Sequence, residues 1–202
     1  MTRVHFIRHG QTDWNLEGRI QGQSESRLTE LGRKQALNLC KRLDSITFDS
    51  VYSSSSIRAY DTAQILINNR SVEIRKLDSL REIELGAWEG RLKDDVKESE
   101  PEEYYSFYND PSQFNFFGME TFYELQKRAL STFEWVVKND RGKAILIVGH
   151  GAWIKALLSY FENRPMKDLW KPPAMSNCSH SVVEEVGAGQ YKIAMYSGLT
   201  EW

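Results

Sequence analysis

Two cysteines in 202 residues, Cys40 and Cys178, are too few and too far apart for a disulfide framework, and neither sits in the C-x-x-C spacing of a zinc or redox site. A reducing, cytoplasmic setting is therefore expected. No run of roughly 18 apolar residues occurs, so no membrane-spanning helix is expected. The apolar-leaning stretch before Arg8 is too brief for a signal-peptide core. Positive charge is not in surplus either: 26 Lys and Arg against 28 Asp and Glu leave a net charge of -2. Without a global basic field, nucleic acid and anionic membranes are unfavoured partners, and any anion must be bound by a few local groups. Internal repeats, low-complexity tracts and linkers are also missing.

What is present fits a soluble globular chain, 41% hydrophobic and 27% charged. Its length suits one domain over residues 1–202, burying roughly 70% of its unfolded surface. Strand-like and helix-like segments alternate through most of it, which favours an α/β fold with a largely parallel sheet. Strands are expected at Val4 to Ile7, Asp49 to Ser53, Val72 to Leu77 and Ala144 to Val148. The last of these is an unbroken apolar run of the kind buried on both faces. Helical periodicity marks the stretch from near Thr29 to Leu43, a helix from the candidate N-cap Ser56 to about Asn68, Glu120 to Asn139, and Ala152 to Phe161. Two further strands, His180 to Val186 and Tyr191 to Tyr196, flank the turn Gly187-Ala188-Gly189.

Residues 91–118 break the pattern. Tyr104, Tyr105, Phe107, Tyr108, Phe114, Phe116 and Phe117 stand there among prolines and polar residues without clean periodicity. The segment reads either as a minor core under a long loop or as a lid lining a pocket, and the lid is favoured because long excursions near strand ends are often functional.

Arg8-His9-Gly10 falls where the first strand gives way to a polar loop, and Gly149-His150-Gly151 falls where the buried fourth strand ends. Ligands of open parallel sheets bind outside the carboxyl ends of strands, so both histidines are candidate catalytic residues. Arg58 occupies the first turn of the helix after Ser53 to Ser56, where a cation opposes the helix dipole unless an anion is bound beside it. Glu82 and Glu84 each offer a carboxyl group, and the residues alone leave them nearly equal. His5 and His180 are read as strand residues with a satisfied hydrogen bond, and Trp88 as packing for the Glu82 loop.

These residue types suit phosphoryl transfer through a histidine. A neutral imidazole, with an ordinary pKa of about 6.5, is a competent nucleophile, and a covalent intermediate splits one hard displacement into two easier ones. Arginine and histidine donors would hold the phosphoryl oxygens through charge-assisted hydrogen bonds of about 1.5–3 kcal/mol each. A partly buried glutamic acid would protonate the leaving alkoxide and then deprotonate the attacking water. A metal centre on His9 and His150 is disfavoured, because they lack H-x-x-x-H or H-E-x-x-H spacing and Arg8 and Arg58 would repel a cation. Neither a metal nor any other cofactor is expected.

Arg8-His9-Gly10-Gln11-Thr12-Asp13-Trp14-Asn15 resembles the R-H-G-E/Q-T-x-x-N signature of the histidine phosphatase superfamily, which includes the phosphoglycerate mutases. The likeness continues in order through Gly18-Arg19-Ile20-Gln21-Gly22, Leu28-Thr29-Glu30-Leu31-Gly32, Arg58-Ala59, Thr62-Ala63, the segment 82–90 and Gly149-His150-Gly151. It implies a three-layer α/β/α sandwich with a mostly parallel sheet. His9 would be the phosphorylated residue, Arg8, Arg58 and His150 the phosphate pocket, and Glu82 the proton donor. Asn15, Gln21, Gly22 and Gly151 would contact phosphoryl group or substrate. Glu82 to Gly90 resembles the E-x-x-x-G-x-W-E-G of the phosphatase branch, where mutases typically read E-R-H-Y-G. Ser53 to Ser56 departs from the family, whose members often carry a proline or acidic residue before the arginine.

The expectation is thus a metal-independent phosphatase for small phosphorylated metabolites. The alternatives are a phosphoglycerate mutase and a non-catalytic module that binds phosphorylated ligands. Substrate identity and oligomeric state stay open at this level.

Overall fold

The computed structural model describes residues 1–68, 70–187 and 189–201. In chain order the elements are β1 (Arg3–Arg8), α1 (Asp13–Glu17), α2 (Glu30–Arg42), β2 (Ser50–Ser54), α3 (Ile57–Ile67), β3 (Ile74–Leu77), α4 (Lys93–Ser99), α5 (Pro101–Asn109), α6 (Phe122–Asn139), β4 (Ala144–Gly149), α7 (Gly151–Phe161), β5 (His180–Gly187) and β6 (Gln190–Met195). The strands form one six-stranded sheet in the order β3-β2-β4-β1-β5-β6. β3, β2, β4 and β1 run parallel, and β5 and β6 are antiparallel additions at one side.

Side chains alternate across a strand, and here each face receives its own core. Val4 and Phe6 of β1 join Ile145 and Ile147 of β4 beneath Phe133 of α6 and Trp153 of α7. Ile7, Leu146 and Val148 face the other way, against Leu39 of α2 and Ala59, Ala63 and Leu66 of α3. The result is the expected α/β/α sandwich, with β4 buried over nearly its whole length.

Helix ends follow local chemistry. Thr121 and Glu124 form a capping box that opens α6, two residues later than the periodicity suggested, and Thr29 caps α2. Thr12 and Asn15 make a second box that starts α1, a helix too short for periodicity to reveal. α7 is buried at eight consecutive positions, Ala152 to Ser159, as befits a helix covered on all sides. β3 begins at Ile74, not Val72, and Ala188 of the expected β5–β6 turn lies outside the described residues.

Residues 91–118 hold α4, α5 and the turns after them. Phe107 and Phe114 pack at ring distances of 5.9 and 5.6 Å from buried Trp88, and Phe107 lies 5.0 Å from Phe122 at the start of α6. These rings are part of the larger core, while Tyr105 and Phe117 are exposed.

Candidate active site

Strand register creates the site. Arg8 of β1 pairs with Gly149 of β4, so His9 and His150 each follow a paired residue at the same sheet edge. Ser53 of β2 lies opposite Val148 on the other side of β4, which brings Ser54 to that edge as well. The two imidazoles stand edge to face with centroids 5.3 Å apart.

His9 is buried, and its Nδ1 lies 2.8 Å from the Gly10 carbonyl oxygen. A carbonyl only accepts, so Nδ1 carries the proton and Nε2 keeps its lone pair. Burial, reinforced by the positive charges of Arg58 and Arg8, holds the His9 pKa well below its ordinary value. The ring is therefore neutral near pH 7, the form in which a histidine attacks. The loop behind it is anchored by the Gly10 amide, which donates to Thr62 Oγ1 at 3.1 Å.

His150 is also held neutral, by burial first and then by Arg58. Its Nε2 lies 2.8 Å from Ser54 Oγ and 3.2 Å from Ser56 Oγ. Ser56 occupies the expected N-cap position of α3, but its hydroxyl makes no capping bond and serves His150 instead. The serine run that departs from the family pattern thus has a function in placing this ring. His150 itself precedes α7 and makes no side-chain capping bond to it.

Three buried polar atoms at this edge have no hydrogen-bond partner: Nδ1 of His150, Nε of Arg8 and Nε of Arg58. Unsatisfied buried donors cost about 1–3 kcal/mol each, and an oxyanion would satisfy them. The remaining guanidinium nitrogens are used to hold geometry. Arg58 donates to the carbonyls of Ser24 and Gly22 at 2.6 and 2.7 Å, and Arg8 to that of Met175. The amide of Ile57 at the start of α3 already donates to Glu25, so the anion-binding capacity near Arg58 resides in the guanidinium and not in that helix end. Burial lowers the Arg58 pKa to about 10, with Glu82 and Glu25 opposing, and it stays charged near neutrality.

Glu82 separates from its rival by position. Its carboxylate accepts from the amides of Ala152 and Trp153, each at 3.0 Å, in the first turn of the helix that follows His150. The charge of Glu82 acts on both Arg8 and Arg58, which places it beside the same pocket. Glu84 is exposed, and it is its backbone amide that donates, to the carboxylate of Glu120 just before α6.

A cavity of about 310 Å³ opens over this edge, lined among others by Arg8, Asn15, Gln21, Gly22, Glu82 and Gly151. His9, Arg58 and His150 are buried and do not themselves line it; Arg8, Gly22 and Gly151, their neighbours in chain or space, do. Gln21 accepts from the hydroxyls of Thr12 and Ser26 through its side-chain oxygen, leaving its NH2 as the end available to a ligand. Gly22 has φ near +50°, and a Cβ there would stand 2.1 Å from Glu89 Oε1, so only glycine fits. Of the aromatic excursion, Phe107 and Tyr108 line the cavity.

Sequence reasoning missed the supports. Asn177 Nδ2 bridges the His9 carbonyl and Asn15 Oδ1 at 3.1 and 3.2 Å. Glu89 accepts from Gln23 N and Ser24 Oγ and so clasps the 21–24 loop. Arg128 of α6 donates to the carbonyls of Ser79, Arg81 and Glu82. His5 and His180 bond each other at 2.9 Å, as their structural reading requires. Among the described residues, no group of three or more His, Cys, Asp or Glu is arranged to hold a metal, and no helix is long and apolar enough to cross a membrane.

Residues 4–196 match the family model of the histidine phosphatase superfamily, branch 1. A metal-independent phosphoserine phosphatase of Arabidopsis thaliana is 34% identical over 160 residues, spanning 78% of this chain and 67% of that protein. A probable phosphoglycerate mutase, GpmB of Salmonella paratyphi A, is 31% identical over 186 residues, 91% of this chain and 85% of the relative. The solved structure of Bacillus stearothermophilus YhfR superposes with a TM-score of 0.95 and 36% identity, covering 100% of this chain and 98% of that one. The chain belongs to the histidine phosphatase superfamily. Within it, this protein is a phosphatase enzyme.

Proposed function

We propose that the protein hydrolyses small phosphate monoesters by transferring the phosphoryl group to Nε2 of His9. The observation that carries this is the Nδ1 bond of His9 to the Gly10 carbonyl, which leaves Nε2 as a neutral nucleophile among three unpartnered buried donors. In the first step Nε2 attacks phosphorus, the P–N bond forms as the ester P–O bond breaks, and the leaving oxygen takes a proton from Glu82. In the second, water attacks the phosphohistidine, gives a proton to the Glu82 carboxylate, and the P–N bond breaks to release phosphate. Arg8, Arg58 and His150 hold the phosphoryl oxygens, and loss of one such donor slows turnover by about 100- to 1000-fold.

Asn15, Gln21, Gly22 and Gly151 border the substrate, and residues 91–118 wall the leaving-group side through Phe107 and Tyr108. The whole chain acts as one domain on this reading. The two free cysteines suit the reducing, cytoplasmic setting expected from composition.

Pure protein assayed with p-nitrophenyl phosphate in EDTA between pH 5 and 8 tests the reading, with release of phosphate expected and none from His9→Ala. A covalent adduct on His9, identified by mass spectrometry of rapidly quenched protein, is the second readout. No turnover by the wild type would overturn it. The likeness to a probable phosphoglycerate mutase makes isomerisation the second reading. With 3-phosphoglycerate, free phosphate supports hydrolysis and 2-phosphoglycerate supports the mutase.

A further inference from the structure

We propose that a second groove, between the end of α2 and strands β5 and β6, is a non-catalytic binding site for a small organic anion with an apolar body. It lies away from the catalytic edge, around His5, four residues or about 13 Å upstream of His9 along β1. The inference does not depend on the chemistry of His9.

His5 and His180 both line this cavity of about 280 Å³, although only 3% and 8% of their surfaces are exposed. Nδ1 of His5 and Nε2 of His180 share one hydrogen bond at 2.9 Å, with the rings stacked at 5.1 Å. The outer nitrogens, Nε2 of His5 and Nδ1 of His180, have no hydrogen-bond partner among the described residues. Burial keeps both rings neutral near pH 7. Whichever ring donates across the bridge, a neutral pair joined in this way has one N–H and one lone pair left over at its outer edges. A buried N–H left open is costly until something accepts from it.

Two guanidiniums share the groove with this pair. Arg3 stands two residues from His5 on the same face of β1, and Arg42 closes the last turn of α2. The charges of both act on His180 and that of Arg3 acts on His5, whereas no carboxylate contributes at either ring. Among the described residues neither arginine forms an ion pair: Glu184, opposite Arg3 on β5, is engaged by Lys192 at 3.3 Å, and Asp44 lies 3.9 Å from Arg70. A cation at the end of α2 suits the helix dipole on its own account, but Arg3 has no such reason.

The rest of the lining is mainly apolar, with Leu43, Ile46, Val182 and Met195 beside the charged groups. A mostly apolar wall with a few converging polar groups is the usual build of a small-ligand site. An oxyanion would take the open N–H and the two guanidiniums, and its apolar part would cover those side chains. No carboxyl group or thiol lines the groove, and the imidazoles are bonded to each other, so it is built to bind and not to react.

Proton–nitrogen correlation spectra of the imidazoles, recorded at pH 7 during titration with benzenesulfonate, test the proposal. The ring signals of His5 and His180 should shift saturably. Arg3→Gln and Arg42→Gln, both at exposed positions, should each weaken Kd several-fold, and the double variant by about 10-fold or more, the scale of one charge-assisted hydrogen bond. All three variants should hydrolyse p-nitrophenyl phosphate as the wild type does. Benzylammonium, which carries the same ring on a cation, should leave the two signals in place, and inorganic sulfate, which lacks the ring, should bind about 10-fold less tightly or worse. Shifts confined to His9 and His150, or a Kd unmoved in the double variant, would overturn the site. Sulfate bound as tightly as benzenesulfonate would overturn the apolar half of the proposal. Each of these results is compatible with a fully active phosphatase, so the two readings fail separately.

Discussion

Thr62 Oγ1 accepts the amide proton of Gly10 at 3.1 Å and donates to the Arg58 carbonyl at 2.7 Å, so one buried hydroxyl ties the His9 loop to the helix that carries Arg58. Thr62→Val keeps the shape and removes both bonds, stranding a buried N–H. Urea denaturation should show a loss of about 1–3 kcal/mol, and kcat should fall as the His9 loop loosens. Unchanged stability and rate would mean that the loop is fixed by other means.

Gly32 in the first turn of α2 lies so close to the same loop that a Cβ would stand 2.1 Å from the Gln11 carbonyl oxygen. Backbone cannot yield as a flexible side chain can. Gly32→Ala should therefore destabilise the protein by about 1–3 kcal/mol, the usual range for overpacking, and move the His9 loop. Thermal unfolding and kcat measured together check this.

Ser54 and Ser56 both reach Nε2 of His150, and either hydroxyl alone can serve it. The single alanine variants should each lose only a few-fold in kcat/KM. The double variant leaves the buried nitrogen unpaired and should lose about tenfold or more, a non-additive pattern characteristic of a shared partner. Additive losses would argue against a shared role.

Glu82→Gln removes the proton that the leaving oxygen needs. The rate with an alkyl phosphate should fall by about 100- to 10,000-fold, whereas p-nitrophenolate departs as an anion and should lose much less. Equal losses on the two substrates would assign Glu82 to binding and not to proton transfer.

All four histidines are buried and held neutral: burial lowers His5 to about 4 and His180 to about 3, and His9 and His150 lie well below their ordinary value. Each has a folded pKa below its unfolded one, so the unfolded chain binds more protons once the pH drops below about 6.5. Stability is fully expressed above that pH and is lost on acidification, at up to about 1.4 kcal/mol per pH unit for each histidine still neutral in the fold. Urea titrations at pH 7, 6 and 5 should show this slope, and a flat profile would contradict the burial of these rings.

Much of the architecture was legible in the residues. β4 announced itself by an unbroken apolar run, α6 by its apolar stripe, and α2 by its cap and period, because burial on one face leaves a one-dimensional trace. The catalytic candidates were legible too, since Arg8, His9 and His150 stand where strands turn into loops. The excursion at 91–118 was not, because Phe107, Phe114 and Trp88 pack as a cluster whose partners come from separate segments and leave no period.

By itself, then, the sequence determined the layers and the order of the strands and helices along the chain, and it offered the candidate reacting groups. It could not determine which atoms those groups would meet. The pairing of His150 with Ser54 spans 96 residues and that of Asn177 with His9 spans 168. Such contacts depend on β4 lying between β1 and β2, an order no local pattern encodes. The same holds for Lys155, which by periodicity is one more position on a helix. Only packing against residues 171–173 buries its ammonium on the carbonyls of Lys171 and Pro173.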